Sequence, residues 1–539
     1  MKIRLVASLL SVVVLSSCTT SEEAQIADGI AEESDSIIVS ASKSARSSSV
    51  APSIYSFAPA EPANTERYDN GDPNPVKQTS LDPVSTFSAD VDTASYSVMR
   101  RYVQKSNSFP PPQSVRVEEF LNYFDYQYKD AETIDAPFSP TVWVTPTPWN
   151  ADTKLMHIGV KGYDQKPAEQ PAANIVLLID VSGSMQSSAK LPLVKDSFEL
   201  LINKMDKDDT IAMVVYAGAA GVVLEPTKAS KKTKILEALN NLKAGGSTAG
   251  GAGISLAYKL AKENFSEDKI NRIILASDGD FNVGVVDDES LEGFVARQRE
   301  SGIFLTILGF GQGNYNDRLA QKLAQAGNGV AAYIDNLNEA RKVLVNELSS
   351  SLFPIAKDLK FQVEFNPAVV AEYRLIGYET RLLNEEDFNN DAVDAGDIGS
   401  GHTVTALYEL ALVGSKGLLI DERRYEINPN IDALPKDEYG FVKLRYKLPD
   451  KDESNLISLP VKVADNFDSL ESAPVDARFA GAVAAFGQKL SNAKFATNMS
   501  YEDILDLALK SKGDDPYGYR AEFTQLVRAV SQTPDNIGN

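Results

Sequence analysis

The sequence Asp180-Val181-Ser182-Gly183-Ser184-Met185 directly follows an apolar run over residues 175–179. An apolar run of this length predicts a buried strand, so one carboxylate and two hydroxyls stand where a strand opens into a loop. Magnesium takes about six oxygen ligands, and Asp and Ser side chains on alternate residues of a tight loop can point inward together. Gly183 is expected to let the backbone bend between them. The stretch therefore predicts a site for a hard cation.

Two later segments place oxygen-bearing side chains in comparable positions. The glycine-rich segment 245–251 carries the Thr248 hydroxyl, and the apolar run 273–276 is followed by Ser277 and Asp278. Each residue also has a simpler interpretation, because the first loop and Thr248 can cap the helices that follow and Asp278 can begin a turn. Together and in this order, the three segments favour one shared site.

These three segments resemble the metal-ion-dependent adhesion site of the von Willebrand factor A (VWA) domain, and the resemblance covers roughly residues 172–350. It implies that hydroxyls bind a divalent ion, Mg²⁺ or alternatively Mn²⁺ or Ca²⁺, with two carboxylates acting directly or through water. The implied metal ligands are Asp180, Ser182, Ser184, Thr248 and Asp278. In this family an acidic residue of a partner protein usually completes the coordination. From about residue 81 onward the chain is also similar to bacterial VWA lipoproteins with characteristic flanks, which implies a fold but no established activity.

Between residues 174 and 352, short apolar strands alternate with amphipathic helices. Strands are predicted over residues 175–179, 210–216, 272–276, 304–308 and 331–334. Helices are predicted over residues 193–205, 232–242, 254–263, 289–299, 318–326 and 337–352. This alternation predicts a doubly wound, Rossmann-like α/β domain. Ligands of such sheets bind beyond the carboxyl ends of the strands, where all three segments fall. The glycine-rich segment 309–317 leaves another strand at this edge and is predicted to be a structural turn that shapes it; contact of Phe310 and Tyr315 with a partner is the alternative.

The N-terminus is typical of an exported protein. A basic start and an apolar stretch over residues 5–15 precede Ser16-Ser17-Cys18, and residues 1–17 are predicted to be a signal peptide. Residues 15–18 resemble the bacterial lipobox, which implies cleavage before Cys18 and acylation of its thiol. Residues 18–77 are rich in Ser, Ala, Glu and Pro and are predicted to form a disordered tether. We therefore expect an extracytoplasmic protein with a lipid anchor in the cell membrane, or in the outer membrane of a Gram-negative host.

The remaining chain is predicted to form four regions. These are an N-terminal flank with helices and then strands (78–171), the VWA domain (172–352), a β-rich domain (353–470) and a C-terminal helical region (471–539). Strand-like alternation at 140–145 and 155–160 resembles that after residue 353, so we hypothesise that the VWA domain is inserted into one sandwich built from both flanks.

One loop of the N-terminal flank invites a second metal interpretation. The segment Asp90-Val91-Asp92-Thr93-Ala94-Ser95 places two carboxylates close together in sequence. The simpler interpretation, which we favour here, is that Asp92 or Thr93 caps the helix predicted over 94–105.

Charge and composition narrow the function. The formal net charge of −22 argues against nucleic acid as a partner. The chain has two histidines, His157 and His402, both interpreted as structural, and it contains no H-E-x-x-H, G-x-S-x-G or P-loop motif, so an enzyme is not expected. The favoured function is binding or adhesion to an acidic group of a partner protein. An envelope assembly or scaffold factor and a divalent-ion sensor are the alternatives.

Overall fold

The computed structural model describes residues 64–166, 170–246, 251–279, 288–347, 350, 352–421, 431–495 and 498–533. Cys18, Thr248 and the predicted signal peptide lie outside these ranges. The strands are β1 (Lys77–Gln78), β2 (Val84–Ser88), β3 (Thr141–Thr147), β4 (Asn150–Lys161), β5 (Ala173–Asp180), β6 (Thr210–Tyr216), β7 (Ala220–Lys228), β8 (Ile270–Ser277), β9 (Ile303–Phe310), β10 (Ala331–Ile334), β11 (Pro354–Phe365), β12 (Val370–Ile376), β13 (Gly396–Gly399), β14 (Thr403–Leu412), β15 (Glu438–Lys447) and β16 (Ser454–Lys462). The helices are α1 (Ala94–Lys105), α2 (Val117–Asn122), α3 (Leu191–Lys204), α4 (Lys232–Asn240), α5 (Gly251–Glu263), α6 (Asp288–Arg299), α7 (Asp317–Ala326), α8 (Leu337–Arg341), α9 (Val475–Leu490), α10 (Tyr501–Lys510) and α11 (Tyr519–Gln532).

The VWA region is a six-stranded sheet with helices on both faces. The strand order is β10-β9-β8-β5-β6-β7, and all pairs are parallel except β6 with β7. Helices α3, α4 and α8 pack on one face, and α5, α6 and α7 pack on the other. Because both faces are covered, the central strands read as continuous apolar runs, and every residue of β5 is buried. The predicted doubly wound fold is confirmed.

Two details of this region differ from the sequence prediction. Strand β7 was not predicted, because Gly221 and Pro226 interrupt its pattern and much of it is exposed at the sheet edge. The helix predicted over 337–352 ends as an α-helix at Arg341 and continues as a π-helical turn over Lys342–Asn346. Lys342 is buried and pairs with Glu347, five residues further on, which matches the wider spacing of a π-turn.

Strands from both sides of the VWA region form a two-sheet sandwich. One sheet has the order β1-β12-β14-β4-β3, and the other has the order β13-β11-β15-β16 with β2 also paired to β11. Strand β4, before the VWA region, pairs with β14, after it, with His157 opposite Leu407. Strand β2 pairs with β11, with Phe87 opposite Phe361. These pairings confirm that both flanks build the same sandwich around the inserted domain.

The C-terminal helices do not stand apart from the N-terminal flank. Helices α9, α10 and α11 share one apolar core with α1 and α2, where the rings of Phe124, Phe479 and Phe523 pack edge to face. Leu155 of β4 and Leu407 of β14 close this core from the sandwich side. Across the ranges described above, no helix is both long and apolar enough to span a bilayer.

The predicted tether also needs a correction at its C-terminal end. From residue 64 the chain already packs on the folded region, and the side chain of Glu66 is only 2% exposed in an ion pair with Arg101. A polar composition predicted disorder here, but a buried arginine of α1 gives this segment a partner that composition does not reveal.

Candidate metal site

Two strands of the VWA sheet bring the predicted carboxylates together. Strands β5 and β8 are parallel neighbours, with Ile179 opposite Ala276, so Asp180 and Asp278 leave the sheet side by side at its carboxyl edge. Both carboxylates and Ser182 are buried, whereas Ser184 is exposed. The site is therefore anchored in the core and open at one hydroxyl.

The first loop holds its oxygens in a compact turn. The backbone N–H of Ser182 donates to Asp180 Oδ1 at 2.8 Å, and the hydroxyls of Ser182 and Ser184 lie 2.9 Å apart. The glycine between the two serines is not what makes this turn possible. Gly183 has no positive φ, and an added Cβ would meet only Gly246 O, at 3.5 Å. The expectation that Gly183 supplies the bend is therefore wrong.

The second segment is hydrogen-bonded to the first. The N–H of Gly183 donates to Gly246 O at 3.1 Å, and the N–H of Gly245 donates to Val181 O at 2.8 Å. These bonds place the start of the glycine-rich segment beside the serines. Thr248, which follows two residues later, lies beyond the described residues, so its contribution stays a prediction.

Asp278 is fixed by a lysine that the sequence prediction did not include. Lys190 Nζ donates to Asp278 Oδ2 at 2.7 Å and to Asn314 Oδ1 at 3.3 Å. Burial acts to raise the pKa of Asp278, but the Lys190 ammonium and hydrogen bonds from Ser184 and Asn314 hold it below its ordinary value. Asp278 is therefore kept ionised, and its bond from Ser184 joins the first and third segments.

A loop between β9 and α7 also borders this edge. It is defined here as the 311–316 loop, and it packs directly on the residue after Asp278. A Cβ added to Gly279, whose φ is +96°, would lie 2.4 Å from Tyr315 Cα, and one added to Gly311 would lie 2.4 Å from Lys190 Cε. Phe310 and Tyr315 are fully buried, so they do not offer the partner contact considered for them.

Neither Lys190 nor Asn314 carried a usable signal in the sequence. Lys190 stands just before α3, where a lysine is ordinarily a solvated residue, and Asn314 sits among glycines typical of a turn. Their roles depend on tertiary contacts 88 and 124 residues apart along the chain.

The second acidic loop does not form a metal site or a helix cap. Arg381 donates to both oxygens of Asp90 and to Asp92 Oδ2, at 3.1 to 3.2 Å. Asp92 Oδ1 accepts the N–H of Ala331 at 2.8 Å, and Thr93 makes no side-chain cap bond at the start of α1. The predicted cap is therefore wrong, because Arg381 and a strand N–H take up these carboxylate oxygens.

The first loop, by contrast, has the chemistry of a hard-cation site. Adjacent ligands of an octahedral Mg²⁺ about 2.1 Å away lie about 3 Å apart, which is the separation of the Ser182 and Ser184 hydroxyls. Of the described residues around this turn, Asp180 and Asp278 carry carboxylates, and the Lys190 ammonium pairs with Asp278. The residues present fit a divalent ion.

The fold and this edge define a VWA-domain protein. Residues 174–346 match the family described as von Willebrand factor type A domain, and residues 62–157 match one described as von Willebrand factor. Residues 350–533 match the family described as the C-terminal region of uncharacterized protein YfbK. The chain is 45% identical over 478 residues to that protein from Escherichia coli (strain K12), covering 87% of this chain and 82% of the relative. The chain therefore belongs to the YfbK family.

More distant similarities exist. Uncharacterized protein sll0103 of Synechocystis sp. is 27% identical over 297 residues, which cover 53% of this chain and 64% of that protein. Among solved structures, a von Willebrand factor type A protein from Catenulispora acidiphila is 15% identical, covers 75% of this chain and 91% of its own, and has a TM-score of 0.40.

Proposed function

We propose that this chain is a binding protein that uses a divalent metal at the carboxyl edge of its VWA domain to engage an acidic group on a protein partner. The metal would be held by Asp180, Ser182, Ser184, Thr248 and Asp278. The observation that carries this proposal is the convergence of Asp180, the two serines and Asp278 around one turn, where Ser184 is the exposed one of these four residues. A partner would approach from that side.

The charge balance of the site supports an acidic ligand. With Lys190 paired to Asp278, a divalent ion held by the described carboxylates of Asp180 and Asp278 would keep one net positive charge among these groups. Such a charge at a partly buried position attracts a carboxylate more strongly than a fully hydrated ion does. The Lys190 ammonium thus favours ligand capture at some cost in metal affinity.

The two histidines and the serine hydroxyls of this chain favour binding over catalysis. Burial lowers the pKa of His157 to about 3 and is the largest cause of the fall in the pKa of His402 to about 4. Both histidines belong to the sandwich region, in β4 and just before β14, and are weak bases there. The serine hydroxyls at the carboxyl edge have a neighbouring carboxylate and each other as partners. We therefore propose ligand binding and not hydrolysis.

The proposed location is extracytoplasmic, with acylated Cys18 as the anchor in the cell membrane, or in the outer membrane of a Gram-negative cell. This part rests on the sequence alone. A Cys18→Ser variant is expected to move from the membrane fraction to the soluble fraction of the exporting cell, whereas retention in the membrane fraction would contradict acylation at this residue.

The binding proposal is tested on intact cells by cross-linking the full chain to its neighbours in Mg²⁺ and in excess chelator. Cross-linked products that depend on the metal site are expected to disappear in chelator and in Asp180→Ala. Asp208→Ala removes an exposed carboxylate just before β6, at the opposite edge of the sheet, and serves as the matched control. If the same partner is captured by the wild type in chelator and by Asp180→Ala, metal-dependent binding is wrong.

A further inference from the structure

The N-terminal strap, defined as residues 64–68, lies across the 311–316 loop. The N–H of Thr65 donates to Gly313 O at 2.8 Å, and the N–H of Arg67 donates to Tyr315 O at 3.1 Å. In return, the N–H of Asp317 donates to Arg67 O at 3.1 Å. The strap therefore adds a short parallel bridge to the loop that borders Asp278.

One side chain locks the strap to both the loop and helix α1. The carboxylate of Glu66 accepts five hydrogen bonds: two from Arg101, at 2.6 and 2.8 Å, and one each from Tyr68, Tyr102 and the N–H of Gly313, at 2.8 to 2.9 Å. The Glu66 and Arg101 side chains are 2% and 4% exposed. Burial acts to raise the pKa of Glu66, but Arg101 and these donors lower it to about 2. The Glu66 carboxylate therefore stays charged at neutral pH.

The loop held by this lock touches the metal site in two ways. Its backbone at Asn314, Tyr315 and Asn316 leaves no room for a side chain at Gly279, the residue after Asp278. Its Asn314 side chain accepts a hydrogen bond from Lys190, whose ammonium pairs with Asp278. A shift of this loop would therefore move the Asp278 carboxylate through a packed backbone and through a charged hydrogen bond.

We propose that the N-terminal strap is a positioning element of the metal site, with Glu66 as the residue that transmits its docking to Asp278 through the 311–316 loop. This inference rests on the proposed metal function and extends it. Because coupling between two sites is reciprocal, strap docking raises metal affinity and metal binding stabilises the docked strap. A mechanical force or a ligand that detaches residues 64–68 from the loop would lower the affinity of the site for the metal.

The test measures Mn²⁺ alone, by calorimetry, on the full chain and its variants. Glu66→Gln places an amide among five donors, so the strap is expected to undock and the Kd for Mn²⁺ to rise about fivefold. Glu409→Gln is the matched control, because Glu409 also accepts from a buried arginine and two other donors, Arg374, Trp149 and Thr153, but lies in the sandwich. Its Kd should equal that of the wild type.

Hydrogen exchange on the wild type tests the reverse direction and requires no variant to fold. Saturating Mn²⁺ is expected to slow exchange of the Thr65 and Arg67 amides about fivefold, with no change at strands of the sandwich. An unchanged Kd in Glu66→Gln, or strap exchange that is insensitive to Mn²⁺, would overturn the strap inference while leaving the metal site in place. Failure of the wild type to bind Mn²⁺ in an Asp180-dependent way would instead overturn the proposed function and the inference built on it.

Discussion

Two loops of this molecule, beginning at Asp90 and at Asp180, share a local design and differ in what meets their oxygens. Each reads Asp-Val, and in each the N–H two residues on donates to the first carboxylate, at 3.0 Å for Asp92 N and 2.8 Å for Ser182 N. In the first loop a guanidinium, that of Arg381, sits on both carboxylates. In the second, hydroxyls follow the carboxylate and one of them faces solvent. The same local turn geometry therefore occurs in two different surroundings.

Their places in the fold explain the difference. Asp92 accepts the N–H of Ala331, the first residue of β10, so the Asp90 loop lies at the amino edge of the VWA sheet, beneath the sandwich. Asp180 is the last residue of β5, at the carboxyl edge. The amino edge is covered by protein, and the cation there is the guanidinium of Arg381, whereas Ser184 at the carboxyl edge is exposed.

The largest effect is expected from Arg381→Ala, which removes the cation from the buried Asp90 loop. Leaving two buried carboxylates without a counter-charge should lower the free energy of unfolding by about 3 kcal/mol or more, since such losses are dominated by uncompensated charge. Denaturant titration measures it. Adding Asp90→Asn and Asp92→Asn to this variant should restore part of the loss. A cost below about 1 kcal/mol would show that Arg381 is not the neutralising group.

The Arg381→Ala variant also tests whether the Asp90 loop can bind a cation other than arginine. If Mg²⁺ restored the stability of Arg381→Ala, the Asp90 loop would be a cation site that arginine merely occupies. We expect no restoration, because Asp90 and Asp92 are buried and Mg²⁺ gives up its bound waters reluctantly.

The second effect concerns the Asp180 loop. A ligand that binds only the folded state stabilises it by about 2.7 kcal/mol at 100 times its Kd, so Mg²⁺ at that excess should raise the Tm of the wild type. Asp180→Ala should lose this rise while keeping most of its metal-free stability, and Asp208→Ala should keep both. An equal rise in Asp180→Ala would place the bound metal elsewhere.

The third effect separates two glycines at the carboxyl edge. Gly279→Ala forces a side chain into a left-handed backbone and against Tyr315 Cα, and should cost about 2 kcal/mol and weaken Mg²⁺ binding. Gly183→Ala meets only Gly246 O at an ordinary distance and should change stability by less than about 0.5 kcal/mol. Chemical denaturation and calorimetry with Mg²⁺ check both. A larger effect at Gly183 would mean that its bend, as expected from sequence, matters after all.

The sequence predicts those residues of this site whose position depends on a local pattern, and misses those whose position depends on tertiary contacts. Asp180 and Asp278 could be placed because each ends an apolar run, and parallel neighbouring strands bring such ends together. Lys190 could not be placed, because its ammonium contacts Asp278 only when the 311–316 loop lies against its stem. Glu66 was missed for the same reason, since its partner Arg101 belongs to another element.

The same distinction between local pattern and distant contacts applies to the fold. Strands β6 and β10 could be predicted to the residue, because both are buried strands whose residues are apolar except Thr210. The shared sandwich was suggested only by a similarity of pattern, and its pairing of β4 with β14 spans the whole inserted domain. The edge strand β7 and the Asp90 loop were misjudged because exposure and a distant arginine, which a local pattern does not contain, decide their structure.

The smallest expected effect is that of pH on the stabilisation by Mg²⁺, which should not change between pH 7 and 5. Between pH 7 and 5 the contribution of His157 to the stability of the metal-free chain is expected to fall, because burial lowers its pKa to about 3 while the unfolded chain takes up a proton from about pH 6.5. The rise in Tm given by Mg²⁺ at each pH should nevertheless stay constant. Asp278 has a pKa held below its ordinary value, so the carboxylate loses its charge only at a pH well under 5, and its contribution is intact throughout this window. Thermal melts with and without Mg²⁺ at both pH values give the difference directly. A rise that shrinks by half at pH 5 would mean that a group with a raised pKa holds the metal, and the carboxyl edge would then resemble the Asp90 loop, where burial and the neighbouring Asp90 raise the pKa of Asp92.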